Sequence, residues 1–172
     1  MKRRLLLFLI SVFFTFNSYA QSSKSILLKS GTRLSQNDFN ERINESVPAS
    51  DIFQGYYYCL IQFNVMPGKE QQNFIESTGI KLVGYIPYNS FYAAIPVGYN
   101  LSQLSTFNPR TIVRLQASDK INNQLRFGDY EYARKKAGAL DLVFQYYKNI
   151  PADVIQQELV AKGCSVLERT DA

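Results

Sequence analysis

Residues able to do acid–base, nucleophilic or metal chemistry are scarce in this chain and poorly spaced for it. None of its 172 residues is a histidine, so no imidazole can take a serine proton near neutral pH, and a Ser-His-Asp triad is excluded. Cys59 and Cys164 are the only cysteines. Without histidine or a close cysteine pair, zinc lacks ligands. Both cysteines lie in apolar stretches, where a lone cysteine acts as a small hydrophobe. That favours two buried thiols over a disulfide, although an exported chain permits the bond. Glu70 with Glu76, and Asp38 with Glu41, read as solvated helix charges rather than a glycosidase pair. Gly68, Gly79 and Gly84 punctuate elements and do not form a phosphate-binding loop. The chain therefore reads as non-enzymatic, with no metal and no cofactor.

The N-terminus carries an address. Lys2, Arg3 and Arg4 precede an apolar run over residues 5–16, followed by small residues at Ser18 and Ala20. This is the order of a secretory signal peptide, with cleavage expected between Ala20 and Gln21. The run is too short to span a bilayer as a helix, which takes about 20 residues. Removing residues 1–20 lowers the formal charge from +5 by three, to +2. The mature chain then has no excess of charge to draw nucleic acid or an anionic membrane. A secreted or periplasmic location is expected, with no stable membrane anchor.

Five segments follow from the pattern of apolar residues, turns and helix ends. Residues 1–20 are the signal peptide. Residues 21–54 are a polar extension, loosely packed except for a short strand from Ser25 that Ser30-Gly31 ends. Residues 55–120 carry the order strand, helix, strand, strand, helix, strand. Within them 56–63 is aromatic and β-forming, and Tyr56-Tyr57-Tyr58 reads as an edge or half-exposed strand rather than a sticky surface. Residues 69–78 form a helix stopped by Gly79. Ile80, Leu82 and Ile86 share one face of the next strand, and Phe91, Ala93 and Ile95 one face of the strand after the Tyr88-Asn89-Ser90 turn. Asn100 caps a short helix with Leu101, Leu104 and Phe107 on one side, and 111–115 is the last strand. The fold class is α+β, a ferredoxin-like βαββαβ sandwich with helices on one sheet face. After a linker at 121–138, residues 139–172 echo residues 55–88 at an offset of 84. Pro67 aligns with Pro151, Gly79 with Gly163 and Ile80 with Cys164. The expected elements there are a strand at 140–147, a helix at 152–162 and a strand at 164–167, an incomplete second βαβ unit. Such a half unit buries little apolar area, so the chain is expected to be the front part of something longer.

From "CLIQFN" through "GIKLVGYIPYNSFYAAIP" to "LSQLSTFNPRTIVRLQASDKI", the chain resembles the propeptide domain of secreted subtilisin-family serine proteases. Phe91, Ala93, Ile95, Leu104 and Val113 fit that pattern in order over about sixty residues. The resemblance implies a non-catalytic folding chaperone and inhibitor, docked on a subtilisin-type catalytic domain in cis or in trans, with the catalytic domain absent here. It places an inhibitory tail near Ala117, Ser118, Asp119 and Lys120. The alternative is a free-standing secreted module of the same fold that binds a protein or peptide. An RNA-binding domain shares this strand order, but its basic-Gly-aromatic motif is missing and export takes the chain away from RNA. The sheet face without helices is expected to carry Val83, Tyr85, Tyr92 and Ala94, an apolar and aromatic set suited to docking a protein. Expression in a bacterium with a matching export system should yield a chain whose mass begins at Gln21. A retained Met1 on protein from outside the inner membrane would refute the signal-peptide reading.

Overall fold

The computed structural model describes residues 25–28, 30–34, 38–42, 46–128, 130–135 and 138–168. The expected cleavage point, Ala20-Gln21, lies outside the described residues. The fold is α+β, built on an open antiparallel sheet. Strand β4 (Tyr56–Phe63) is the axis of that sheet. It pairs antiparallel with β6 (Ser90–Pro96) on one side and with β7 (Pro109–Arg114) on the other. The two-residue β3 (Ile52–Phe53) pairs with the start of β4, and β5 (Lys81–Ile86) pairs with β6. The tyrosines at 56–58 therefore open a central strand. Tyr57 and Tyr58 are buried, because β4 has neighbours on both sides and cover on both faces.

Local chemistry explains the elements. Helix α2 (Lys69–Ser77) starts where the Gly68 N–H donates to Gln71 Oε1 at 3.1 Å. It stops at Gly79, whose φ of +97° is open to glycine at little cost. Tyr88 and Asn89 both hold positive φ, +67° and +56°. This is the signature of a type I′ turn, whose twist matches that of paired strands. Asn100 Oδ1 accepts the Ser102 N–H at 3.1 Å. The element it caps, Leu101–Phe107, is a 3-10 helix rather than an α-helix. Asn108, left-handed at φ +52°, ends it immediately before β7.

One sheet face meets α2 and the 3-10 segment. Tyr57, Cys59, Ile61, Phe63, Phe91, Ala93, Ile95 and Ile112 pack there with Ile75, Ile80 and Leu104, and Leu82 lies against them. The N-terminal extension adds to this core through Phe39 on the short α1 (Phe39–Arg42) and through Val47. It also forms a hairpin of β1 (Ser25–Leu28) and β2 (Gly31–Leu34). The described part of residues 21–54 is thus more firmly packed than the turn-rich sequence implied, because separate cores draw on it.

Two expected faces need correction, and one bulge explains both. Leu82 lies opposite Ala93 but Gly84 lies opposite Tyr92, so Val83 is an extra residue in β5. A one-residue slip moves every later side chain to the other face. Ile86 therefore leaves the set of Ile80 and Leu82 and packs on the opposite face with Leu60. Tyr85 moves the other way and meets Phe91 edge-on, with centroids 5.6 Å apart. Val113 also belongs to the second face, in the cluster of Leu60 and Ile86.

The second unit keeps its helix but not its strands. Helix α5 (Ala152–Ala161) forms, and Gly163 ends it at φ +82°, as Gly79 ends α2. The described residues 140–147 and 164–168 are not in strands. They pair with no strand of the sheet in the described residues, and Leu142, Val143 and Phe144 are left exposed. Cys164 is exposed too, while Cys59 is buried, and both are free thiols. The stretch 121–138 holds a turn of helix, α4 (Asn123–Arg126), and a 3-10 turn at Glu131–Ala133. Ile61, fully buried at the crossing of β4, β6 and β7, should cost about 2–5 kcal/mol when changed to alanine. Leu82→Ala, at a half-buried bulge position, should cost less. Urea midpoints of the two variants test that order, and a reversed order would contradict the bulge.

Candidate functional site: the second sheet face

Alternation along β4 sends Tyr58 and Leu60 to the face away from α2, with Gln62 in step. That face carries two clusters side by side. At one end Leu60, Ile86, Val113 and Leu115 hold Ile26 and Leu28 of β1. Gln62 fixes this end in place: its Nε2 donates to Ser25 O at 3.3 Å and to Tyr88 O at 3.1 Å, joining β1 to the type I′ turn. At the other end Tyr58 and Ala94 hold Ile150 and Ile155, with Val154 and Leu159 partly buried beside them. The face that the fold class leaves open is therefore covered by the chain itself, by a strand at one end and by α5 at the other.

Tyrosines join the two ends. The Tyr147 ring stacks on Tyr58 with centroids 4.9 Å apart and planes 9° apart, and it lies 5.5 Å from Tyr92. Asn149 Nδ2 donates to the Tyr58 hydroxyl at 2.8 Å. Burial raises the pKa of all three tyrosine hydroxyls. At Tyr92 the nearby Asp119 carboxylate adds to the rise. Lys81 Nζ sits 4.7 Å above the Tyr56 ring at the margin of the face.

The four residues expected to share this face do not stay together. Ala94 is fully buried beneath Ile150 and Ile155, and Tyr92 is half-buried against Tyr147. Tyr85 points to the helix side and Val83 is the bulged residue, for the register reason given above. Residues Tyr58, Tyr147, Asn149, Ile150 and Ile155 complete the site without having been foreseen. One signal for part of it is legible in "YYYCLIQF": a strand without polar alternation is buried on both faces. The expected tail, Ala117–Lys120, is a helical turn, α3. Asp119 Oδ2 accepts the Gln116 N–H at 2.8 Å, and the Asp119 carbonyl accepts from Ser30 Oγ at 3.0 Å. These bonds tie the segment back to the β1–β2 hairpin.

Little else gathers chemistry. A small cavity is lined by Val47, Pro48, Tyr57, Leu101, Ile112 and Arg114, but the Arg114 guanidinium is paired with the Asp51 carboxylate. Among the described residues no cluster of metal-ligating side chains occurs, and no helix is long and apolar enough to cross a membrane.

Together these features define an α+β sheet domain whose second face accepts a strand from before it in the chain and a helix from after it. The chain belongs to the family described as a domain of unknown function, DUF8729, whose model matches residues 21–117, more than half of its length. No curated protein and no solved structure matches it. The family match takes in β1 and ends just after β7, so it includes the strand cover of the face and leaves out α5.

The tyrosine cluster sets an alkaline limit. A hydroxyl whose pKa is raised on folding holds its proton more tightly in the native state. Its stabilisation is complete below the ordinary tyrosine value of about 10 and is lost as pH rises towards the folded value. Thermal melts should therefore fall steeply above pH about 10, and Tyr147→Phe should make the fall shallower. An unchanged alkaline profile in Tyr147→Phe would remove this cluster as its cause.

Proposed function

We propose that this chain is a non-catalytic, secreted or periplasmic, propeptide-like module that acts as folding chaperone and inhibitor of a subtilisin-type protease. On this reading the sheet domain is ferredoxin-like, the strand order β7-β4-β6-β5 being the one a βαββαβ chain adopts. The observation that carries the reading is the second face itself. It is apolar and aromatic where a solitary domain places polar residues, and a helix seats on it. A subtilisin-type catalytic domain, offering helices to such a face, is the partner the resemblance implies. The lack of histidine in the whole chain supports a role without catalysis of its own.

A second reading is a free-standing secreted module of the same fold that binds another protein or a peptide. The segment Ala117–Lys120 favours it. That segment is a capped helical turn tied to Ser30, whereas an inhibitory tail lies extended in a cleft. The test is to add residues 21–172 to a secreted subtilase stripped of its own propeptide and to follow cleavage of a chromogenic peptide. Slowed cleavage that Tyr92→Lys weakens at least tenfold supports the protease partner. Full protease activity at saturating module, with the module intact, leaves the second reading.

A further inference from the structure

We infer that the end of the second face formed by Tyr58, Tyr92 and Ala94 is a helix-docking site, and that residues 147–161 are its resident, displaceable occupant. The inference rests on the docking reading above only in giving this face a partner. Its physical basis is separate. The occupant is a discrete unit: the Tyr147 ring on Tyr58, the Asn149 bond to the Tyr58 hydroxyl, then Ile150 and Ile155 against Ala94. Leu159, four residues beyond Ile155 and so on the same side of α5, extends this stripe. The far side of α5 is open, with Val160 exposed.

What leads to the occupant makes it separable. Between β7 and Tyr147 run about thirty residues with no strand among those described, and Leu142, Val143, Phe144 and Tyr146 are exposed. The matched domain stops at 117, so the docking surface and its cover belong to different parts of the chain. Being part of the same chain, the cover competes with a free helix as an intramolecular ligand. A partner helix with the same pattern then meets a face that is closed but can open. The pattern is two branched apolar residues four apart, with an aromatic residue eight before the first. Such a partner binds more weakly than to the bare face by the factor the tether imposes.

The probe is a labelled peptide of residues 145–163, titrated into the full chain and into the full chain carrying Ile150→Asp and Ile155→Asp. The variant should bind the peptide at least tenfold more tightly than the wild type. Equal affinity, including no binding to either by a folded variant, overturns the proposal. Hydrogen exchange on the wild-type chain gives a test that needs no substitution. Amides of residues 155–161 should exchange through a local opening, faster than those of β4. If both sets exchange only through global unfolding, α5 is a fixed part of the core and the proposal fails. Neither measurement involves a protease, so failure here leaves the inhibitor assay to decide the proposed function by itself.

Discussion

Strand β4 is apolar on both of its faces, and the rest of the chain answers to that. From Tyr57 to Phe63 every residue is buried. A strand of this kind cannot border water on either side without exposing several large side chains, each worth about 1.5–3 kcal/mol when buried. Cover on one face comes from within the βαββαβ order, through Ile75 on α2 and Leu104 on the 3-10 segment. No element of that order reaches the other face. Segments from outside it are recruited instead: Ile26 and Leu28 from before the sheet, Ile150 and Ile155 from after it.

The two covers differ in kind. The β1 end is tied by polar bonds as well as by apolar contact. Gln62, buried in the sheet, donates to Ser25 O, and Ser30 Oγ donates to the Asp119 carbonyl. Buried polar groups tolerate little displacement, because a lost partner leaves a desolvated donor or acceptor. At the α5 end ring stacking and aliphatic contact fill the face, and Asn149 donates to the Tyr58 hydroxyl at its edge. Apolar contact is less directional.

Most elements were legible in the sequence, since each has local causes. Gly79 stops α2, Tyr88-Asn89 turns the hairpin, Asn100 caps the segment after it, and 56–63 is a strand by composition. Which face each side chain occupies was less legible. The bulge at Val83 adds one residue to β5 with no marker beyond a neighbouring glycine, and it exchanges the faces of Tyr85 and Ile86. The strands expected at 140–147 and 164–167 have suitable composition. Pairing, however, depends on an available edge, and that is a property of the whole fold. Cys164 followed the same logic: its apolar neighbours suggested burial, but it lies exposed outside the core clusters. Of the candidate face, Tyr92 and Ala94 were foreseen by alternation from the hairpin. Tyr147, Asn149 and Ile155 were not, because the contact spans roughly fifty to ninety residues of sequence and no local pattern encodes it.

The offset of 84 residues gives this a physical sense. α5 echoes α2 in a proline one to two residues ahead of its first turn, in its length and in its left-handed terminal glycine. In the first unit that helix packs over its own β4, with Ile75 fully buried. The described residues in the place of β4, 140–147, are not in a strand, so α5 has no sheet of its own to cover. Its apolar stripe is satisfied by the uncovered half of the first unit's sheet. Two helices of similar sequence pattern thus cover opposite faces of one sheet. The same pattern of side chains serves both, because an apolar sheet surface with small and aromatic residues selects a helix mainly by the spacing of its apolar positions.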